Sequence, residues 1–419
     1  MSPMPITSGH GRRAGRPPGQ APGALPSYVV DLDAFAALLT PRGRRALAEA
    51  EELVGADPVA AATRMRKTYD AALTSAALTQ AGLRERARSK FGADAGLMYF
   101  TPHGLEQATR TEVAAHRARR LAAAGGLRIA DACCGVGGDL LALARAGNTV
   151  DAVDTDPLTV AVATANAEAL GLDTRVTVRV ADAATVRPQD YDALFADPAR
   201  RTSRGRTFDP LAYSPPWPVV LDLVSRAPRA CLKVAPGIPY EFIPEEAEAE
   251  WVSYKGEVKE ATLWTGPATE GGRRATLLPG GHSLAATGVP VATGPVGRYV
   301  YEPDGAAIRA HLVGEVAEMV GGRLLDPMIA YITGDEPIST PWAARYETTE
   351  VLPFSLKRLR GVLRERRIGN VTIKKRGSAV DIERLRSDLR LSGDQSCVVI
   401  LTRIMDKPSV IICDPMPPA

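Results

Sequence analysis

The sequence predicts an α/β protein, with a doubly wound sheet between a helical N-terminal domain and a small α/β C-terminal domain. Three observations carry that expectation. A glycine-rich turn, Asp131-Ala-Cys-Cys-Gly-Val-Gly-Gly-Asp139, joins an extended apolar entry at Leu127–Ala130 to a helical pattern at Leu140–Ala146. Acids recur at the ends of the extended segments that follow, at Asp154, Asp182 and Asp197, and open α/β sheets bind ligands at the carboxyl edge of their strands. Ahead of the turn, residues 27–125 show helical apolar spacing with almost no strand signal.

The elements follow in order. The first stretch, 1–26, is rich in Gly, Pro and Ser and reads as a disordered tail. Within 27–125, Phe35, Leu38 and Leu39, then Leu73, Ala76 and Ala77, recur at helical intervals. Lys90–Pro102 is loop-like and aromatic, and it either lies over a bound ligand or is a packed connector. Thr101-Pro102 caps a helix expected over His103–Arg120. The central sheet is expected over 126–280, with strands Leu127–Ala130, Thr149–Val153, Arg175–Val180, Ala193–Ala196 and Ala230–Val234. Asp156-Pro157 opens the helix Leu158–Leu170, and Gly171 closes it. Leu221–Ser225 is helical, and the alternating segments Trp251–Trp264 and Arg274–Leu278 read as a hairpin at the end of the sheet.

A linker is expected at 281–297, where Gly, Ala, Thr and Pro dominate. The last unit, 298–419, then alternates. Its helices are Ala306–Val320, Ser355–Arg366 and Ile382–Leu389, and its strands are Glu347–Val351, Asn370–Lys374, Ser396–Ile404 and Ser409–Cys413.

Composition narrows the class. The 419 residues exceed one ordinary core, and 45% hydrophobic content with a net charge of only +3 describes a soluble globular chain. No apolar run approaches a membrane span and no secretory signal opens the chain, so the expected compartment is the cytoplasm. Five cysteines make no disulfide framework, and with five histidines and no C-x-x-C pair no metal site is expected. The charge distribution says more than the total. Ser355–Arg390 holds twelve Lys or Arg against four acids. Such a cluster is either a solvated face or a surface for phosphates.

The glycine turn carries the first chemistry. Its Asp131, Cys133, Gly135 and Gly137 depart from the dinucleotide fingerprint G-x-G-x-x-G, with an acid leading and a small residue in the first glycine slot. That form resembles the first motif of class I S-adenosylmethionine (SAM) methyltransferases. Asp154, with Thr155 beside it, lies about 20 residues beyond the turn, where doubly wound folds place an acid on a ribose. Asp182-Ala183 resembles the family's adenine-binding pair. Small volume accounts for Cys133 and Cys134, and Cys231 reads as core of the fifth strand.

Asp197-Pro198-Ala-Arg-Arg201 ends the fourth strand. Methyltransferases of exocyclic amines carry there an acid or Asn, two prolines and an aromatic. The acceptors hold both N–H groups and favour a localised lone pair. Here the acid and the first proline are kept, the second proline and the aromatic are gone, and amine chemistry is left open. Ser214-Pro-Pro-Trp217 matches the corresponding motif of cytosine-N4 methyltransferases but is expected in a loop rather than at a strand end. Trp217 or Phe208 either supplies the missing stacking platform or is ordinary packing. Arg200, Arg201, Arg204 and Arg206 either contact phosphates or form salt bridges.

The whole of 28–419 resembles a bacterial family of class I SAM methyltransferases with a C-terminal THUMP-like domain. The residues that carry the resemblance are Ala108-Thr-Arg-Thr-Glu-Val-Ala-Ala-His-Arg117, the glycine turn, Asp197–Arg201, Leu325-Asp-Pro327, Ile329-Ala-Tyr331 and Ile373-Lys-Lys-Arg-Gly377. The central part also resembles, more distantly, the cap guanine-N2 methyltransferases. The resemblance implies a Rossmann-like SAM-binding sheet. Its cofactor contacts would come from Asp131, Cys133, Gly135, Gly137, Asp154, Thr155, Asp182 and Ala183, and its chemistry from Asp197 and Pro198. THUMP domains bind RNA, and Lys374, Lys375 and Arg376 would meet its phosphates. The expected function is methylation of structured RNA, tRNA and rRNA being indistinguishable. The alternatives are a methyltransferase of a protein or small molecule, or a SAM- and RNA-binding module without turnover. A nicotinamide dehydrogenase fits Asp131 and Cys133 poorly.

Overall fold

The computed structural model describes residues 31–122, 126–202, 205–206, 210–267, 269 and 271–414, without the side chains of 200–206. The tail expected at 1–26 lies outside the described residues, as do the side chains of Arg200, Arg201, Arg204, Arg206 and Phe208. The chain forms two compact units that divide between Thr79 and Gln80, rather than near the expected boundary at 125.

The first unit holds helices α1 (Leu32–Leu39), α2 (Pro41–Glu51) and α3 (Pro58–Met65), and the start of α4 (Ala71–Phe91). Asp31, Thr40 and Asp57 cap the first three, each accepting from a backbone N–H, and the two prolines occupy first helical positions where no donor is lost. Phe35, Leu38, Leu47 and Met65 are buried, and the Tyr69 hydroxyl donates to Glu49 at 2.7 Å.

The second unit is built on a nine-stranded sheet. The expected helix over His103–Arg120 is two, α5 (Pro102–Gln107) and α6 (Thr111–Leu121), because the backbone turns extended at Ala108. The glycine turn links β1 (Arg128–Ala132) to α7 (Gly138–Arg145), and β2 (Thr149–Asp154), α8 (Pro157–Ala169), β3 (Val176–Val180) and β4 (Ala193–Ala196) follow. A small separate sheet comes next: β5 (Ala199–Thr202), β6 (Gly205–Arg206) and β7 (Tyr213–Ser214). Then come α9 (Trp217–Arg226), β8 (Ala230–Val234), β9 (Glu248–Tyr254), β10 (Glu257–Thr265), β11 (Gly272–Leu278) and β12 (His282–Ala285). The strand order is β12-β11-β9-β10-β8-β4-β1-β2-β3. From β3 to β8 all neighbours are parallel, and β10 enters antiparallel between β8 and β9. The expected hairpin of two segments is corrected: it lies wholly within 248–265, turning at Lys255-Gly256 with positive φ, while β11 runs parallel to β9 outside it.

Side chains alternate across this sheet, and both faces are covered, as βα crossovers require. Ile129, Val150, Phe195 and Cys231 face α6 and α7, whereas Ala130, Leu194, Leu232 and Trp251 face the opposite core with Trp217 and Leu223 of α9.

The second face carries a further correction. The linker expected at 281–297 contains β12, which pairs with β11. Beyond it, β13 (Tyr299–Pro303), α10 (Gly305–Arg309) and α11 (Val313–Met319) bring Tyr299, Tyr301, Ala306, Leu312 and Val316 into the same core as Trp251 and Leu263. The helix expected over Ala306–Val320 breaks at His311, whose φ is +55°. No free hinge separates the two sheets. The Asp304 carboxylate accepts from Ser253 Oγ at 3.0 Å, tying one to the other.

The second sheet, order β14-β15-β13-β16-β19-β18-β17, adds β14 (Arg323–Asp326), β15 (Ile329–Gly334), β16 (Ala343–Pro353), β17 (Ile368–Lys375), β18 (Gln395–Ile404) and β19 (Lys407–Asp414). Helices α12 (Leu356–Glu365) and α13 (Ile382–Leu389) cover one face with Leu359, Leu363, Leu385 and Leu389. No helix among the described residues is long and apolar enough to cross a membrane.

Candidate active site

The sheet reverses its winding between β1 and β4, and a cavity of about 460 Å³ opens at the carboxyl edge there. Cys133, Gly135, Asp154, Asp197, Pro198 and Ala199 line it from the strand ends; Thr101, His103, Gly104, Gln107 and Thr109 line it from α5 and its flanks. Of the two readings for the aromatic loop, the packed connector is the one its contacts describe. Tyr99 and Phe100 are buried, and Asn166 of α8 clamps the loop, accepting from Tyr99 N at 2.6 Å and donating to the Tyr99 and Val136 carbonyls. The residues just after it form one wall of the cavity.

The glycine turn is shaped for close approach. Gly135 has φ +55° and open space where a Cβ would stand, so the cavity reaches its backbone. Cys133 takes φ +74° without that freedom, held by its N–H donating to the Val153 carbonyl at 3.0 Å. Asp154 lines the cavity, and its carboxylate accepts from Gly135 N and Asp156 N at 3.1 Å each. One lone pair on each oxygen is thereby used and one remains.

Beneath the turn the charges are dense. Asp131 is fully buried and neither carboxylate oxygen has a hydrogen-bond partner among the described residues. Burial first, then the carboxylates of Asp139, Asp197 and Asp154, push its pKa well above the usual range. Asp139 goes the other way. Burial alone would raise it, but Arg117 and Lys233 outweigh that and lower it. Asp197 Oδ2 accepts from Lys233 Nζ at 2.6 Å. Farther along the same face of the sheet, burial of Glu250 is outweighed by His116, Arg120 and Thr276, which hold its pKa at about 2.

Comparison with known proteins identifies the family. An S-adenosylmethionine-dependent methyltransferase of Mycobacterium tuberculosis (strain CDC 1551 / Oshkosh), itself uncharacterized, is 38% identical over 336 residues, covering 77% of this chain and 90% of the relative; its counterpart in strain H37Rv matches equally. The chain belongs to the S-adenosylmethionine-dependent methyltransferases. It is a class I enzyme by its sheet order, and SAM is its cofactor. Within the methyltransferase, residues 127–220 match the RNA cap guanine-N2 methyltransferase family, 343–415 match the THUMP domain-like family, and 31–87 match a domain of unknown function. In fold it is similar to the crystal structure of a protein from Porphyromonas gingivalis W83 assigned as a methyltransferase. That likeness has a TM-score of 0.73 at 20% identity and covers 89% of this chain and 99% of the other.

The methyltransferase brings only some of the expected residues together. Cys133, Gly135, Asp154, Asp197 and Pro198 line the cavity. Asp131 lies beneath it, and Gly137 starts α7 in a left-handed conformation behind the lining. Asp182 is exposed and accepts from Ala184 N at 2.8 Å, as a cap, while Ala183 is buried and Thr155 exposed; none of the three lines the cavity. Trp217 is 4% exposed and packs edge-on against Tyr213 and Phe242, which removes it as a stacking platform in this conformation. The Ser-Pro-Pro-Trp motif does follow a strand, the two-residue β7, and Ser214 pairs with Ala199 beside Asp197-Pro198. Lys374 and Arg376 both meet Glu302, at 2.9 and 3.8 Å, and Lys375 Nζ donates to the Val380 carbonyl. No cluster of three or more metal-ligating side chains occurs among the described residues.

Sequence reasoning missed Lys233, Thr109 and Arg117 as members of this site. Their signal was charge and polarity at positions that the pattern assigns to buried faces.

Asp131 permits a stability test. Its pKa is raised in the folded state, so ionisation costs stability above the unfolded value of about 3.9, increasingly up to the folded value. Asp131→Asn is expected to raise the melting temperature of the ligand-free protein near neutral pH, with the gain shrinking as the pH falls toward that unfolded value. Thermal melts across that range check it, and a lower melting temperature at neutral pH would contradict it.

Proposed function

We propose that the methyltransferase acts on structured RNA, with a base exocyclic amine as acceptor. The observation that carries this reading is the basic face of α12, within the segment that matches the THUMP-like family. Leu359 and Leu363 bury the opposite face, which leaves Lys357, Arg358 and Arg364 exposed, with no ion pair or hydrogen bond from their side chains among the described residues. Gly361 stands among them with nothing within 4 Å of a would-be Cβ, so a phosphodiester backbone can approach the helix closely.

In this reading the chain holds SAM along the carboxyl edge. The fit rests on the open backbone at Gly135 and on the carboxylates of Asp139, Asp154 and Asp197 set against Arg117 and Lys233, which favours a ligand with positive centres. Asp154 uses its remaining lone pairs for the ribose hydroxyls. Cys133, Gly135 and Gly137 shape the turn against the amino-acid part, above Asp131. Thr155, Asp182 and Ala183 border the adenine side. Bound SAM supplies an electrophilic methyl group on a sulfonium. Asp197, with Pro198 fixing the backbone beside it, accepts an N–H of the incoming amine and orients its lone pair for in-line transfer.

The RNA reading is tested by filter binding of total cellular RNA at several salt concentrations. Replacing Lys357, Arg358 and Arg364 together by alanine is expected to weaken binding and to flatten the log–log salt slope by about 0.7 to 0.9 for each phosphate no longer neutralised. The triple replacement of Lys374, Lys375 and Arg376 is expected to do less, since those side chains already have partners. Slopes unchanged by both variants would put a protein or small-molecule acceptor ahead.

A further inference from the structure

Lys233 is 5% exposed, next to last in β8, and it does not line the cavity. A buried ammonium must be partnered to be tolerated. Its partners among the described residues are Thr109 Oγ1 at 2.8 Å and Asp197 Oδ2 at 2.6 Å. The hydrogen bonds continue in one direction. The Thr109 hydroxyl donates to Asp139 Oδ2 at 2.8 Å, Arg117 Nε donates to Asp139 Oδ1 at 3.0 Å, and the same guanidinium meets Glu260. Lys233 and Arg117 can only donate, so the Thr109 oxygen accepts from Lys233 at 2.8 Å and from Arg117 at 3.4 Å while its single hydrogen goes to Asp139, which gives the chain one polarity. Its members come from the turn before α6, from α6, α7, β8 and β10, and they converge under one carboxylate. That carboxylate belongs to Asp197, whose side chain is 25% exposed and lines the cavity.

We propose that Lys233, held by Thr109 and the Asp139–Arg117–Glu260 cluster, is the positioning residue for Asp197. By occupying Oδ2 it leaves Oδ1 as the atom offered to the acceptor. A carboxylate oxygen so placed only accepts, so the methylated group must bring a hydrogen of its own, as an amine does. The proposal rests on the role assigned above to Asp197. It also gives a purpose to the Ala108–Arg117 segment, which supplies two members of the chain.

The test measures single-turnover transfer from methyl-labelled SAM into an unfractionated extract of cells lacking the enzyme, which contains every acceptor. Lys233→Met is expected to slow transfer at least about 30-fold while SAM affinity, read by calorimetry, stays within about 3-fold. Lys233→Arg, which keeps a donor to both partners, is expected to recover most of the loss. Because Lys233 acts through Asp197, adding Lys233→Met to Asp197→Asn is expected to cost less than about 2-fold more. Thr109→Val removes one partner and keeps the shape. It is expected to show the same dependence on Asp197 at about 5-fold amplitude, and it decides the matter if Lys233→Met does not fold. A Lys233→Met enzyme at full rate overturns the proposal. So does a loss that persists undiminished in the Asp197→Asn background, or one accompanied by lost SAM binding. An Asp197→Asn enzyme at full rate is a different result: it overturns the role of Asp197 itself.

Discussion

Asp197→Ala is expected to slow methyl transfer about 100- to 10,000-fold, the range for a positioned polar group at a reacting centre, while SAM affinity stays within a few-fold. The side chain lines the cavity at the end of β4, beside Pro198, and its only hydrogen-bonded partner among the described residues is Lys233. Removing it takes away the acceptor for the substrate and leaves the Lys233 ammonium with Thr109 alone. Asp197→Asn separates the two effects, since it keeps an oxygen for one of them but loses the charge. Single-turnover assays with labelled SAM, alongside calorimetry of SAM binding, measure both quantities. Transfer at the wild-type rate would reduce Asp197 to an anchor for Lys233.

The second large effect is on the cofactor. Asp154→Ala is expected to weaken SAM about 30- to 100-fold, or about 2–3 kcal/mol, for two charge-assisted hydrogen bonds. The same carboxylate also accepts from Gly135 N and Asp156 N, so its loss loosens the turn that the ligand approaches. SAM is expected to raise the melting temperature of the wild type, and NAD to leave it unchanged. Unchanged SAM affinity in Asp154→Ala would remove this residue from the cofactor site.

The central sheet was legible because its signals are local. The glycine turn, the Asp156-Pro157 cap, the Gly171 stop and the acids at successive strand ends each lie within a few residues of the element they define. What the sequence concealed depends on contacts between distant residues. Lys233 reads as one more member of a core strand until Thr109, 124 residues earlier, and Asp197, 36 residues earlier, are seen at its ammonium. The stretch 281–297 has the composition of a linker, yet β12 pairs there and α10 follows onto the sheet, because the β9–β11 face needs cover that only a later segment supplies. Lys374, Lys375 and Arg376 stand out as a basic run, but Glu302 and the Val380 carbonyl hold them. Among the described residues, unpaired charge lies on α12, where burial of Leu359 and Leu363 turns Lys357, Arg358 and Arg364 outward.

The most direct measurement follows the methyl group. The purified protein and methyl-labelled SAM are incubated with separated RNA, protein and small-molecule fractions from cells lacking the enzyme. The proposed function predicts label in RNA, lost with Asp197→Ala and reduced by the Lys357, Arg358 and Arg364 replacements. Label confined to protein or to small molecules would contradict it.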